Sequence, residues 1–374
     1  MPPPDLAHAL PATAALLAKG RDAGTHLGGQ IYVSIGGRAV ADTGFGDARP
    51  GEPMTREHLL PWMSAGKPVT AVAVARYWEQ GRLDLDDPVV RHVPEFAAHG
   101  KEAITLRHLL THTGGIRKLD VGWPRKTWDE IVAGICAGKP EPRWIPGRRA
   151  GYHRTSSWFL LGEILCRLSG RAFDRVVRDE VFVPAGLGDS WIGMPAERFH
   201  AYGRRIAPLY ATEGATEGEE PHEVGWNDEA RVTRPSPGAS ARGPIRELGR
   251  FYERLLDGGA PWISPPTVEA LTARHRVGLE DRTFRQMLDW GLGFIPNSAY
   301  HGHPRVAYGY GPHASTRVFG HSGYRSSVAF ADPEHDLAVA LALNGLAAEE
   351  VHSERIHALT AAVYEDLGLV SSLP

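Results

Sequence analysis

Ser64 stands three residues before Lys67 in the stretch WMSAGKPVTAVAVARYW, where a long apolar-periodic segment begins. A serine hydroxyl is a poor nucleophile at neutral pH and needs a base within hydrogen-bond reach. On a helix, positions i and i+3 share a face, so this spacing sets the Lys67 amine beside the Ser64 hydroxyl. An amine at its ordinary pKa of about 10.4 is almost wholly protonated at pH 7. It must be buried, or placed beside another cation, before it can take a proton. N–H groups at a helix start also favour negative charge developing near Ser64. Lysine is a scarce type here, six of 41 basic residues, which marks Lys67 out. An isolated S-x-x-K match equally describes a capping serine followed by a surface lysine, so the rest of the chain has to decide.

The elements that must position this pair can be read from periodicity and breakers. Asp5 to Asp22 reads as one helix with Leu6, Leu10, Ala14 and Leu17 near one face. GQIYVSIGGRAVADTGFGD reads as a hairpin turning at Gly36-Gly37. Val69, Val72, Ala73, Ala75, Tyr77 and Trp78 suit a buried helix with Pro68 in its first turn, where a missing N–H is harmless. From LDLDDPVVRHVPEF to about Trp191 the chain is mostly helical, whereas Thr212 to Gly238 is acidic and reads as a long irregular loop. PIRELGRFYERLLDGG is a helix stopped by two glycines. RVFGHSGYRSSVAFAD and DLAVALALNG read as strands, and SERIHALTAAVYEDLG as a closing helix. The expected fold is therefore α/β (α+β), an antiparallel β-sheet flanked by N- and C-terminal helices with an inserted all-helical subdomain. Residues 1–82 and 195–374 are expected to form the sheet subdomain and 83–194 the helical one, with the active site between them.

The segments MSAGKPVTAVAV, LLTHTGGI, PGRRAGYHRTSSWFLLGEIL, VFVPAGLGDSWIGMP, WGLGF and FGHSGYRSSVAFADPE occur in that order. Together, over roughly residues 25 to 365, they resemble the serine β-lactamase-like superfamily. Its members include class C β-lactamases, family VIII esterases and D-alanyl-D-alanine carboxypeptidase-like enzymes. The resemblance implies that Ser64 is the acylated nucleophile, Lys67 its activating partner and Tyr152 a proton-transfer group coupled to Lys67. It also implies that His321 of the third motif, His321-Ser322-Gly323, donates to or electrostatically supports the substrate and Tyr152. The backbone N–H groups of Ser64 and Tyr324 would form the oxyanion hole. Two departures stand out. The second motif reads Tyr152-His153-Arg154 in place of Y-x-N, and the third is H-S-G in place of K-T-G. Both count against β-lactam hydrolysis. His153, Arg154, Trp290, Ser322, Gly323 and Arg325 are the expected substrate-binding positions, with Arg154 or Arg325 able to meet an anionic group. His112 in LLTHTGG belongs to a structural turn.

Composition narrows the alternatives. A net charge of −3 and the lack of a Lys/Arg-rich stripe give no reason to expect nucleic acid. The two cysteines, Cys136 and Cys166, are too few for a disulfide framework and lack C-x-x-C spacing. Ser156 and Ser157 lack the G-x-S-x-G setting of an α/β-hydrolase elbow. His301 and His303 form an H-x-H pair without a metal-binding partner, and neither metal nor cofactor is expected. No run reaches the roughly 18 apolar residues of a membrane span, and MPPPDLAHALPATAALLAKG fails as a secretory signal, so a cytoplasmic location is expected. The resulting expectation is a small-molecule esterase or amidase working through an acyl-enzyme at Ser64. The alternative is a transacylase that passes the acyl group to an amine or alcohol in natural-product biosynthesis. A β-lactamase or D-Ala peptidase, and a catalytically silent binding protein, complete the set.

Overall fold

A computed structural model describes residues 5–119, 121–213, 222–303 and 305–370. Its centre is a seven-stranded antiparallel sheet that joins the two ends of the chain. The hairpin Gly28–Ile35 and Arg38–Arg49 pairs through its first strand with Leu337–Leu343, followed outward by Ser327–Asp332, Phe319–Ser322 and Ile295–Pro296. The glycine pair Gly36-Gly37 turns the hairpin with both residues at positive φ, as a tight turn between strands requires.

Period-two alternation sorts the central strand between two layers. Leu337, Val339, Leu341 and Leu343 point into one core with Ile31, Val33, Ile356, Leu359 and Tyr364. Ala338, Ala340 and Ala342 point the other way, with Leu248, Phe251 and Leu255 of the Ile245–Leu256 helix. The large row thus meets the terminal helices and the alanine row lets the internal helix approach closely. Both terminal helices therefore lie on one face, and the opposite face is covered from within the chain. The amino-terminal helix is not the single unit expected. It breaks at Leu10 into Leu6–Ala9 and Pro11–Asp22, because Pro11 cannot continue a helix and restricts the residue before it.

Helix Lys67–Glu79 is buried almost all round, through Val69, Val72, Ala73 and Tyr77 among others, and so runs through the middle of the protein. Pro68 occupies its first turn. The helical insertion packs on it chiefly through Ser156–Ser169, whose Trp158, Phe159, Leu160 and Leu161 are buried. The segment from Thr212 to Gly238 is more ordered than its composition suggests. His222–Val224 pairs with Leu209–Ala211, and Glu229–Thr233 is helical, while residues 214–221 of the expected loop lie outside those described.

Helix Ile245–Leu256 approaches the sheet most closely at Gly249, where an added Cβ would sit 2.2 Å from Tyr32 Cδ1. The Tyr32 ring cannot swing aside freely, since its hydroxyl donates to Glu253 Oε1 at 2.8 Å. Intrinsic helix propensity favours Gly249→Ala by about 1 kcal/mol. The expected outcome is instead a net loss of about 1–3 kcal/mol from overpacking, read from the denaturant midpoint at unchanged m-value.

Candidate active site

Ser64 lies in the 3₁₀ turn Met63–Gly66 that leads directly into the Lys67–Glu79 helix. Met63, just before it, is held at φ 54°, a left-handed conformation that bulky residues rarely adopt. His112, Tyr308 and Arg325, all around the same site, share that conformation. Such outliers persist only where surrounding packing over-determines them. The turn is pinned to the sheet: Ser327 Oγ donates to the Trp62 carbonyl at 2.8 Å, and Gly323 lies where a Cβ would come within 2.5 Å of that same oxygen.

Lys67 is 0% exposed. Its Nζ donates to Ser64 Oγ at 3.0 Å and to the Gly238 carbonyl at 2.5 Å, and it stands 5.2 Å from the Tyr152 ring and 5.4 Å from that of Trp158. No carboxylate pairs with it among the described residues. Burial, reinforced by the positive charge of Arg154, holds its pKa well below the ordinary lysine value. Tyr152, 4% exposed, is held by its backbone, whose N–H donates to Asp281 Oδ1 at 3.2 Å. Asp281 is itself anchored by a fully buried ion pair with Arg276 at 3.1 Å. The Tyr152 hydroxyl closes no hydrogen bond of normal geometry among the described residues. It nevertheless feels Ser64, which partly opposes the strong upward shift that burial and the neighbouring Tyr308 impose on its pKa. Both shifts favour the uncharged forms, a neutral amine and a protonated phenol.

His321 corrects one expectation. Its Nδ1 lies 2.7 Å from the Ser322 carbonyl, which can only accept, so Nδ1 carries the ring proton. Burial and the nearby Lys67 charge hold the ring's pKa well below the usual histidine value. The single proton of a neutral ring is therefore committed to the backbone, and Nε2 is a bare acceptor with no partner among the described residues. His321 cannot donate to substrate or to Tyr152 in this arrangement. Neither the Ser64 nor the Tyr324 backbone N–H has a partner among the described residues. Arg355 fixes the segment after Tyr324 by donating to the carbonyls of Arg325 and Gly345 at 2.8 and 2.6 Å.

These groups open onto a cleft of about 540 Å³ lined by Ser64, Tyr152, Arg154 and Tyr324 of the expected residues. The other expected binding residues stand elsewhere. His153 is buried, stacked on His112, and its Nε2 accepts the Ile116 N–H at 3.0 Å, so it backs Tyr152 rather than facing the cleft. Trp290 is fully buried behind Tyr152, His112 and His321. Ser322 lines a second cavity of about 470 Å³ that shares Tyr308 with the cleft. Gly323 serves as backbone at the turn, and Arg325 is taken up by Glu213 and Glu349 at 2.5 and 3.4 Å.

His112 holds the second motif from behind, its Nδ1 accepting the His153 N–H at 3.0 Å. Ser156 donates to the Ile116 carbonyl at 2.7 Å and is a structural hydroxyl. His301 bonds Asp289 and His303 accepts the Met287 N–H. Among the described residues no group of His, Cys, Asp and Glu could hold a metal, and no helix is long and apolar enough to cross a membrane. Sequence reading missed Tyr308, Lys118 and Trp226 as cleft residues. The aromatic, glycine-rich stretch VAYGYG and a scarce lysine were the only local signals.

The beta-lactamase family model matches residues 13–363, and the chain belongs to that family, which comprises serine hydrolases. It is 25% identical over 357 residues to the esterase/beta-lactamase LipL of Mycobacterium tuberculosis, covering 85% of this chain and 77% of that protein. A penicillin-binding protein homologue from Caulobacter crescentus matches its fold with a TM-score of 0.76 at 28% identity, covering 97% of this chain and 99% of the other. A family VIII carboxylesterase does so with a TM-score of 0.76 at 25% identity, over 96% and 97% of the two chains.

The depressed Lys67 pKa has a stability consequence. Between its folded value and the unfolded value of about 10.4, the unfolded chain binds a proton that the folded protein does not, so folding stability rises with pH across that window. At pH 7 the buried lysine therefore destabilises the fold. Lys67→Met is expected to melt at a temperature equal to or above the native protein at pH 7, with the difference shrinking toward pH 10, and to form no acyl adduct. Thermal melts across that range check the trend.

Proposed function

We propose that this protein is a serine acyl-transfer enzyme that acylates Ser64 with a small ester or amide and then releases the acyl group to water. The observation that carries this reading is the buried Lys67 amine 3.0 Å from the Ser64 hydroxyl, with no counter-ion among the described residues. One N–H of the neutral amine is held by the Gly238 carbonyl, and rotation about Cε–Nζ exchanges the N–H that faces Ser64 Oγ for the lone pair that takes its proton. As Ser64 Oγ bonds to the substrate carbonyl carbon, that proton moves to Lys67. The carbonyl oxygen becomes an oxyanion facing the N–H groups of Ser64 and Tyr324, each worth about 3–4 kcal/mol in comparable sites. The leaving group departs with the Tyr152 hydroxyl proton, and Tyr152 is reprotonated from Lys67. Water then attacks the ester carbonyl by the same steps in reverse. His321 Nε2 serves as an acceptor for a hydroxyl or N–H in the site.

Transfer to an amine or alcohol has one observation in its favour, the cavity across Tyr308 in which an acceptor could sit beside Ser322. A β-lactam substrate is disfavoured, because Arg154 replaces the amide-holding asparagine and His321 has no free proton to donate.

The test is intact-protein mass after mixing with p-nitrophenyl acetate. The native protein is expected to gain one acetyl group transiently, and Ser64→Ala none. Added amines that yield acetylated amine faster than acetate would move the assignment to transacylase. Tyr152→Phe is expected to slow acylation by about 10²–10⁴-fold while keeping the native melting temperature within a few degrees. An adduct on the Ser64→Ala protein, or an unchanged rate in Tyr152→Phe, would remove that residue from the mechanism.

A further inference from the structure

Besides Lys67, four basic side chains among the described residues lie in or beside the Ser64 cleft, and they are not equivalent. Arg117 is committed to Glu141, its Nε donating to both carboxylate oxygens at 2.8 and 2.9 Å. Arg325, just outside, is committed to Glu213 and Glu349. Arg154 and Lys118 line the cleft and are exposed, and neither has a hydrogen bond or ion pair with any described residue. No carboxylate stands among the described lining residues. The chain as a whole carries a net charge of −3, so two cations without an ionic partner among the described residues, both lining the cleft of Ser64, run against the sign of the molecule.

Position strengthens the case. Arg154 is two residues from Tyr152 and immediately precedes the turn into the Ser156–Ser169 helix, whose N-terminus adds positive potential on the same side. Its charge reaches the reacting groups, adding to the downward shift at Lys67 and opposing the upward shifts at Tyr152 and Tyr308. An anionic group held there thus lies within electrostatic range of the serine that attacks. Leu119, Val121, Trp123 and Trp226 give the wall an apolar stretch suited to a short hydrocarbon chain between the anion and the carbonyl.

We propose that Arg154 and Lys118 form a carboxylate-binding subsite at the mouth of the Ser64 cleft, so that the preferred acyl donor carries a carboxylate at the end of a short chain. The guanidinium fork gives Arg154 two parallel N–H donors for one carboxylate, and Lys118 contributes a point charge. This rests on the acyl-transfer reading, since it names the donor that the same serine takes.

Two esters of similar size separate charge from shape: p-nitrophenyl hemisuccinate, anionic at neutral pH, and the uncharged p-nitrophenyl pentanoate. The native enzyme is expected to favour the hemisuccinate in kcat/KM by about tenfold or more, a preference that falls as potassium chloride screens the cleft. In the double variant Arg154→Gln, Lys118→Gln the ratio is expected to fall by about tenfold. The ratio is read rather than either rate, because loss of the Arg154 charge also lets the Lys67 pKa rise and slows both esters together. A second measurement does not require turnover: monomethyl succinate titrated into the Ser64→Ala protein, with and without Arg154→Gln, followed by the fluorescence of Trp123 and Trp226. Saturable binding lost in the double mutant supports the subsite even if no ester acylates Ser64, an outcome in which the acyl-transfer reading alone fails. Acylation by the neutral ester, with no preference for the hemisuccinate and no binding of monomethyl succinate, overturns the subsite and leaves acyl transfer standing. No acylation and no binding overturns both.

Discussion

The site depends on one unfavourable burial. An amine with no counter-ion among the described residues sits in the middle of the protein, and among them a hydroxyl and a carbonyl oxygen receive its hydrogen bonds. Removing water from it makes the charged form expensive, so the protein stabilises the neutral form that can act as a base. Much of the surrounding structure maintains this dryness. The Lys67–Glu79 helix is buried almost all round, Trp158 closes one flank and Tyr152 another, and the segment that offers the Gly238 carbonyl is tied to the same helix by Thr70 donating to the Pro237 carbonyl at 2.7 Å. In the proposed mechanism the lysine is reactive because the fold tolerates it poorly.

The same low-polarity environment governs the neighbours. His321, His112 and His153 are all buried and held neutral, His153 down to about 3. None of them supplies a positive charge to compete with Arg154 for control of the cleft. Behind Tyr152 lies a stack of rings, His112 at 4.8 Å and Trp290 at 5.7 Å, which fixes the phenol without hydrogen-bonding its hydroxyl. Packing holds these side chains in place, so the Tyr152 hydroxyl and His321 Nε2 stay without a partner among the described residues.

Legibility in the sequence followed the range of the interaction. The Ser64 and Lys67 pairing is a helical i, i+3 relation and could be read locally, as could the hairpin at Gly36-Gly37 and the two strands near the end of the chain. Tyr152 and His321 come from distant segments, and only the ordered set of motifs joined them to Ser64. The protonation of His321 was out of reach, because it depends on where the Ser322 carbonyl lies. Arg154 and Arg325 looked alike in sequence; a single acidic partner from another segment, Glu213, is part of what distinguishes them. Acidic, turn-rich composition between Thr212 and Gly238 concealed a strand whose partner lies upstream at Leu209–Ala211, and Trp226 reaches the cleft only because that pairing carries it there.

Arg355 extends the reach of the site beyond its walls. This side chain stands on the last helix, Glu349–Asp366, yet its guanidinium binds the carbonyl one residue past Tyr324, together with those of Thr25 and Gly345. A side chain of this helix thereby sets the tolerance on the segment after Tyr324, whose N–H is one of the two proposed oxyanion donors. Local opening of that helix, at a free energy below that of global unfolding, would leave a folded protein with Ser64 and Lys67 in place but the oxyanion unsupported. In the proposed mechanism activity would then decay ahead of structure on warming, and the rigidity of this helix becomes a catalytic quantity.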